Sequence, residues 1–376
     1  MCIRDRVYSD YPGVFGAYTT GAGDNNLYET VQTMNYLAAN VFATYEESFA
    51  KDHNFKAMAG FNYESYYRKA IDATGYDLIT DELSDFNLIT TTRQPVLGGG
   101  QTIYALAGFF GRINYDYAGK YLLEGNIRYD GTSRFARGNR WGFFPSVSAG
   151  WRISEEAFMN WAKPALQSLK LRGSWGQLGN TSSRYETFAD WYPFYQQQGV
   201  GVANSSWLID GKKQNTSSLP GITNATMTWE TVETWDIGLD VNMFNNRLNM
   251  SFDWYTRYTY DMVGPAPTLP NILGTSAPKI NNTDMKSVGW DLEIGWRDRI
   301  GEVGYGVKLV LSDATQTVIK YPNETKSIND WYEGEKLNNI WGYTTAGLAQ
   351  SQEEMDAWIA NNKPSWGGNW GAGDVK

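Results

Sequence analysis

The sequence predicts an all-β fold, a transmembrane antiparallel β-barrel, from three observations. Apolar and polar residues alternate with a period of two in one run after another, as they do when a strand has one face on lipid and the other on water. Aromatic residues make up 15% of the chain against 19% charged residues, an excess of rings that suits a membrane interface. Connections between the runs are alternately short and long, like the turns and loops at the two ends of a membrane barrel.

The segment Ala105–Arg152 shows the alternation most clearly. In its first run Phe109 and Ile113 share one face, while Arg112 and Asn114 lie on the other. In a soluble sandwich the polar face would be ordinary surface rich in Lys and Glu. Here that face mixes Arg, Asp, Asn, Ser and Gly, a composition that suits the wet lumen of a wide barrel.

Ten strands are predicted in order, each at or above the roughly 9 to 11 residues that a tilted membrane strand needs. They lie near 34–49, 55–67, 103–117, 120–130, 143–152, 168–178, 230–244, 247–261, 286–298 and 303–316. Tight turns are expected at 118–120 and at Asn245-Asn246, because Asn tolerates a positive φ better than most residues. The connection 153–167 is predicted to be a short helix with Ser154 as its N-cap and Pro164 at its end.

The chain is predicted to hold one partial barrel domain, residues 28–376, after an N-terminal segment, residues 1–27. No Pro-rich or Ser-rich linker divides the 376 residues, and no apolar run approaches the ~18 residues of a membrane-spanning helix. The first six residues lack both the alternation and the apolar core of a signal peptide, and we interpret them as a non-native start. Because an outer-membrane protein needs an export signal, the natural N-terminus is expected upstream.

Composition also argues against several function classes. The net charge of −9 disfavours nucleic acid as a partner, since phosphate binding needs a basic face. A single histidine, His53, and a single cysteine, Cys2, offer no metal-ligand spacing and no internal disulfide. Three pairs of adjacent glutamates would point to opposite faces of a strand, so the two members of a pair could not flank one bond; they are Glu46-Glu47, Glu155-Glu156 and Glu353-Glu354. We expect no catalytic residues, no cofactor and no metal.

Eleven separated motifs, in this order along the chain, resemble the SusC/RagA family of TonB-dependent outer-membrane transporters. They are GRINY at 111–115, KYLL at 120–123, RYDGTSRF at 128–135, NRWG at 139–142, FPSVSAGWRISEE at 144–156, LKLRGSWGQLGN at 169–180, TWE at 228–230, GLD at 238–240, NRL at 246–248, DWY at 253–255 and VGWDLE at 288–293. The resemblance as a whole covers roughly residues 28 to 376.

The resemblance implies a barrel of roughly 22 strands with a plugged lumen, of which this chain would supply about ten. The plug domain and the closing strands are then absent from it. The implied location is the bacterial outer membrane, and the implied function is TonB-energised uptake of oligosaccharides or peptides. The implied partners are a SusD-like lipoprotein that acts as a lid, TonB (through the missing N-terminal part), outer-membrane lipid, and a glycan or peptide ligand.

Aromatic residues of the long loops are the candidates for substrate contact, because their rings can stack on sugars. They are Trp191, Tyr192, Phe194, Tyr195 and Trp207 within 179–229, and Trp331 and Tyr332 in the loop after residue 316. The same rings could instead pack within their loop or against a lid. Asp130, Arg134, Arg137 and Arg140 are predicted to form an ion network that fixes one loop. The alternative function is a soluble or surface-anchored carbohydrate-binding β-protein, which would bury the apolar strand faces instead of presenting them to lipid.

Overall fold

The computed structural model describes residues 17–19, 25–80, 83–90, 93–181, 192, 194–196, 198–202, 208–265, 270, 272, 274–275, 277–340, 342, 344–362, 368 and 370–376. These residues contain fifteen strands: β1 (Ala17–Thr19), β2 (Asn25–Phe49), β3 (His53–Tyr76), β4 (Val96–Tyr117), β5 (Tyr121–Thr132), β6 (Trp141–Arg152), β7 (Leu166–Asn180), β8 (Val200–Val202), β9 (Leu208–Ile209), β10 (Lys212–Lys213), β11 (Asn215–Ser217), β12 (Glu230–Met243), β13 (Leu248–Gly264), β14 (Ile280–Ile300) and β15 (Val303–Lys320). β1 to β7 and β12 to β15 form one 11-stranded sheet, in which each strand pairs antiparallel with the next. β8 pairs with β11, and β9 with β10.

All ten predicted strands are confirmed, as β2 to β7 and β12 to β15. β2, β3 and β4 are longer than predicted, because they reach residues 25, 76 and 96 rather than 34, 67 and 103. Their additional segments include runs such as Gly98-Gly99-Gly100 that do not alternate apolar with polar residues. A two-residue hydrophobic period therefore cannot reveal them.

The predicted tight turns are also confirmed. Asn245 and Asn246 adopt φ of 57° and 61°, and the chain reverses from β12 to β13 across them. Between β4 and β5, Ala118 and Gly119 adopt φ of 53° and 66°. The short connections lie at one end of the sheet, which we call the short-turn end, and the long connections lie at the opposite, long-loop end.

The predicted helix at 153–167 is wrong. The structure has two single 3₁₀ turns there, Ile153–Glu155 and Ala157–Met159, and then a series of turns that leads into β7. Ser154 is buried inside the first 3₁₀ turn and caps nothing. Glu156 prevents a continuous helix, because its extended backbone carries its carboxylate to the Tyr121 hydroxyl at 2.6 Å.

The two faces of the sheet differ as the alternation predicts. One face, called outer here, carries apolar side chains that are exposed along the whole sheet, among them Ile127, Trp235 and Leu309. The other, called inner, carries charged and amide side chains such as Arg112 and Arg172, which bond across neighbouring strands. The apolar rows are therefore not buried against a second sheet in the described part of the chain. A helix long and apolar enough to cross a membrane is not found among the described residues.

Two rows of aromatic side chains border the apolar outer face. At the short-turn end, Tyr121 lies between Tyr117 and Trp151, with ring centroids 6.2 and 6.4 Å away. At the long-loop end, Tyr129 stacks on Trp141 at 4.9 Å. Tyr121 and Tyr129 lie on the same strand, roughly 27 Å apart along it. Strands of membrane barrels tilt by about 35–45°, so the two rows are about 20 Å apart along the membrane normal. This distance is close to the height of the apolar band of a membrane barrel.

A small apolar core lies at the long-loop end of the inner face. Trp229, just before β12, meets Phe135 and Phe144 edge to face at 5.8 and 5.3 Å, and Met227 packs against the three. The indole of Trp229 donates a hydrogen bond to the carbonyl of Arg140 at 2.9 Å. This cluster fastens the loop at residues 133–140 to the wall of the sheet.

The prediction that Asp130 joins Arg134, Arg137 and Arg140 in one ion network is wrong, because Asp130 pairs with a different arginine. Asp130 pairs with Arg128 on its own strand at 2.8 Å. Arg140 donates to the carbonyl of Phe135 at 3.0 Å, and the buried Arg134 donates to the hydroxyl of Thr181 at 3.3 Å. Arg137 is exposed on a 3₁₀ turn. Among the described residues, hydrogen bonds to neutral oxygens and the aromatic cluster contribute to fixing the loop.

Residues 336–376 form a separate unit. Within it the helix α1 (Gln352–Asn362) buries Met355, and Leu348 bridges to Val375. The ammonium of Lys376 pairs with the carboxylate of Glu354. Glu353 and Glu354 lie in the first turn of α1. They are not on a strand, so the expectation that adjacent glutamates point to opposite faces of a strand does not apply to this pair.

Candidate functional site on the inner face

Arg172 on β7 is the centre of the larger charged cluster of the inner face. Its guanidinium lies 3.5 Å from Asp236, 3.1 Å from Asp240 and 2.5 Å from Asp253, on β12 and β13. It also donates to the hydroxyl of Ser251 at 3.3 Å. A planar guanidinium can donate five hydrogen bonds, so one arginine can hold three carboxylates together across three strands.

A second polar cluster joins β4 to β5. Arg112 donates to Asn126 at 2.7 Å, and Asn126 and Asn114 both donate to the carboxylate of Glu124. Asn114 and Glu124 of this cluster and Arg172 and Asp236 of the first line one cavity of about 470 Å³, together with residues from β2, β3 and β6. Its walls offer paired charges and amides, which hold water or a polar ligand by hydrogen bonds.

The described residues contain no group of three or more His, Cys, Asp and Glu side chains arranged to hold a metal ion. His53 begins β3, where its Nδ1 lies 2.7 Å from the Tyr115 hydroxyl and its ring packs on Tyr117 at 4.7 Å. Glu46 and Glu47 are neighbours on β2 and so point to opposite faces, as the sequence predicts.

Two of the predicted loop aromatics, Trp191 and Trp207, lie outside the described residues. Tyr192 and Tyr195 lie in one cluster with Phe194. The ring of Phe194 is 6.2 Å from that of Tyr192 and 4.4 Å from that of Tyr195. Tyr192 is buried and Tyr195 is half exposed, so Tyr195 is the one of these two tyrosines that a ligand could reach.

Trp331 and Tyr332 lie in the loop after β15. The ring of Trp331 packs on Tyr321 at 5.7 Å and lines a cavity of about 680 Å³ beside the long-loop ends of β13 and β14. Lys279 and Asp330 supply a charge of each sign to this cavity. Tyr332 forms a turn, in which its carbonyl accepts a bond from the amide of Glu335. Trp331, rather than Tyr332, therefore faces a space that a ligand could fill.

The Arg172 cluster could not be recognised as a site from the sequence pattern. The residues were visible as the polar members of alternating strands, but the pairing of β7 with β12 across the long connection 181–229 was not. That pairing places Arg172 directly opposite Gly238, where a side chain would overlap the guanidinium. The glycine thus leaves the space through which Arg172 reaches Asp253.

Residues 4–374 match the family described as TonB dependent receptor-like, beta-barrel. The chain belongs to this family. An outer face that is apolar between two aromatic rows agrees with membership, and the chain is accordingly part of an outer-membrane β-barrel. The short-turn end of the sheet is then the periplasmic end, the long-loop end is the extracellular end, and the inner face lines the lumen.

Similar proteins support the same assignment. TonB-dependent receptor P3 of Formosa agariphila is 30% identical over 347 residues, 88% of this chain and 33% of the relative. TonB-dependent receptor SusC of Bacteroides thetaiotaomicron is 33% identical over 250 residues, 64% of this chain and 23% of the relative. The solved RagAB peptide importer in its open-open state has the same fold, with a TM-score of 0.74 at 22% identity over 88% of this chain and 35% of that chain. The chain thus spans about a third of the length of the first of these curated relatives.

Proposed function

We propose that this chain forms part of an outer-membrane nutrient importer that takes up oligosaccharides or peptides with energy delivered through TonB. The observation that carries the proposal is the contrast between the two faces of one sheet. An exposed apolar outer face suits lipid, and a charged inner face suits a wet passage. Nothing in this scheme requires bond chemistry, and the polar inner residues would supply wall stability and weak contacts to a passing ligand.

We propose further that a SusD-like lipoprotein covers the extracellular mouth. The similarity to SusC and to RagAB supports such a partner. Tyr195 and Trp331 are the loop aromatics whose exposure suits contact with a ligand or with the lid. Tyr192 and Tyr332 would position these loops, and Trp191 and Trp207 remain candidates from the sequence alone.

Deletion of the gene in its host tests import. Growth on single glycans and on peptide mixtures as sole carbon source would be compared between the deletion strain and a complemented strain. Loss of growth on one substrate class, restored by complementation, is the expected result. Equal growth of the two strains on every substrate would contradict the proposal.

Membrane location and the lid partner need separate measurements. The whole protein is expected to require detergent for extraction, and its mobility on a denaturing gel should change on heating. A tagged version should co-purify with a lipoprotein in detergent, and a matched sample washed at high salt gives the control for loose association. Recovery in buffer without detergent would favour the carbohydrate-binding β-protein instead, although the exposed rows of Ile and Trp on the outer face argue against that alternative.

A further inference from the structure

β2, β3 and β4 extend past the extracellular aromatic row, whereas β5 ends near it. The last residue of β5, Thr132, pairs with Leu106, and the three longer strands continue beyond that point. We call this part the wall extension: residues 25–37 of β2, 65–76 of β3 and 96–105 of β4, which remain paired with one another. It lies beyond the extracellular aromatic row, outside the apolar band that lipid covers, so apolar rings there are not explained by lipid.

Three tyrosines form a row across the inner face of the wall extension. Tyr36, Tyr66 and Tyr104 are register partners on successive strands. The rings of Tyr66 and Tyr104 stack with centroids 5.1 Å apart and an interplanar angle of 22°. β3 and β4 pair without a register shift from Tyr104 to Arg112, and an even number of residues separates the two. Tyr104 therefore lies on the same inner face as Arg112, and its register partners Tyr66 and Tyr36 lie there with it. Tyr36 is 58% exposed at the end of the row.

A carboxylate lies beside the row. Glu64, two residues before Tyr66 on the same face, accepts a hydrogen bond from the Tyr104 hydroxyl at 3.1 Å, and the Tyr36 hydroxyl interacts with it as well. Arg68 lies two residues beyond Tyr66 on that face. Glu64 therefore offers a hydrogen-bond acceptor on one side of the tyrosine row, and Arg68 offers a donor on the other side. The charges of the two residues cancel.

Further polar groups continue this surface toward the membrane. Asn62 accepts a bond from Arg128 at 3.3 Å, and Arg128 is paired with Asp130. These groups meet over Gly108, where an added methyl group would overlap both Asn62 and Asp130. The guanidinium of Arg128 also lies over the ring of Phe110, 5.8 Å from its centroid. A second ring thus follows the first row, with fixed hydrogen-bonding groups between the two.

We infer that this surface, the tyrosine row with Glu64, is a binding site for a neutral oligosaccharide on its way into the lumen. The inference rests on the proposed import function and names its substrate class. A sugar ring presents an apolar C–H face and a rim of hydroxyls, so it suits an aromatic plane flanked by an acceptor and a donor. The charges of Glu64 and Arg68 cancel, as do those of Asp130 and Arg128. The surface therefore has no net charge and suits a neutral ligand.

The test uses the whole transporter purified in detergent. Binding is measured by calorimetry with maltohexaose, laminarihexaose, xylohexaose and mannohexaose, and with a tryptic peptide digest for comparison. Tyr66→Ala and Tyr36→Ala are expected to weaken binding of the preferred hexaose at least tenfold. Tyr66→Phe keeps the ring and should stay within twofold of wild type. Tyr67→Ala is the matched control, since Tyr67 adjoins Tyr66 but points to the opposite face.

Retained heat-dependent gel mobility shows that each variant is folded, and the exposed position of Tyr36 keeps one variant available if Tyr66→Ala fails to fold. Wild-type affinity in both alanine variants, or equal losses in Tyr67→Ala, would overturn the inference and leave the row a packing feature. Binding of peptides but of no hexaose would also overturn it, while the import proposal stands if the deletion strain fails to grow on peptides. Equal growth of the deletion and complemented strains on every glycan and peptide would count against both.

Discussion

Replacing Trp229 by alanine is expected to release the loop at residues 133–140 from the wall while the sheet stays intact. Trp229 is 9% exposed, and with Phe135 and Phe144 it forms the aromatic core that lies beneath this loop. Its indole also donates to the carbonyl of Arg140. The strands of the sheet pair through their own backbone hydrogen bonds, so the effect should be local.

The size of the effect follows from the interactions that the Trp229 side chain makes. Truncation of a core Trp to Ala costs about 3–5 kcal/mol, and a cluster of three buried rings beside solvent belongs near the lower end, at about 3 kcal/mol. Of this, the hydrogen bond contributes about 1 kcal/mol and each edge-to-face contact about 0.5–1.5 kcal/mol. A change of about 3 kcal/mol raises the population of the open loop roughly 100-fold.

Amide hydrogen exchange in the whole protein measures that population. The reporters are the amides of Thr132 and Asn139, which bond to the carbonyls of Arg140 and Ala136. Trp229→Phe is the matched variant, because it keeps a ring and loses the hydrogen bond, and it should accelerate exchange less than tenfold. Unchanged exchange in Trp229→Ala would refute the reasoning, as would equal acceleration by Trp235→Ala on the exposed outer face.

Three further predictions concern the wall and its turns. Arg172→Met leaves three carboxylates without their shared cation. Because the carboxylates are partly exposed to water, the free energy of unfolding in urea should fall by only about 2 kcal/mol. Adding Asp253→Asn removes one of the three charges and should recover part of this loss. Hydrogen bonds from the Tyr121 hydroxyl, the Trp151 indole and the Lys120 ammonium hold the pKa of Glu156 below its usual 4.5. This stabilisation is present above pH 4.5 and is lost as the pH falls through the lower folded-state pKa, so the stability advantage of wild type over Glu156→Gln should shrink between pH 5 and pH 3. Asn246→Val should cost about 1–2 kcal/mol at a φ of 61°, whereas Asn246→Gly should cost nothing, both by urea midpoint.

Each of these has a clear contrary result. Arg172→Met as stable as wild type would mean that the carboxylates are solvated rather than held by the arginine. If the stability of wild type and of Glu156→Gln changed with pH in parallel, the ionised Glu156 would not stabilise the periplasmic connection. Equal midpoints for Asn246→Val and Asn246→Gly would show that the turn relaxes out of the left-handed region.

The membrane-facing part of the fold could be predicted from the sequence because lipid and water impose a two-residue period. Phe109 and Arg112 could be assigned to opposite faces without any structure, since a register slip would expose charge to lipid. The wall extension escaped prediction because it lies outside the apolar band, where lipid does not impose a two-residue period on one face. The 3₁₀ turns at Ile153–Met159 depend on the contact of Glu156 with Tyr121, a tertiary interaction that no local pattern encodes.

For the candidate site, the sequence could predict only which kind of residue contacts a ligand, and not which individual residues are exposed to one. Aromatic loops indicated ligand contact, but loops have no period, so the sequence could not separate the buried Tyr192 from the half-exposed Tyr195. The tyrosine row was hidden for a different reason. Tyr36, Tyr66 and Tyr104 are far apart in sequence, and only the register of β2, β3 and β4 brings them onto one line.

The step in height between β4 and β5 shapes the entrance. Ten residues of β4 continue past the end of β5, about 34 Å along the strand and about 25 Å above the membrane after tilt. Among the described strands, the edge of the sheet therefore steps down from β4 to β5. A partner that rested on the crest of β4 would therefore have to follow this step to contact the end of β5.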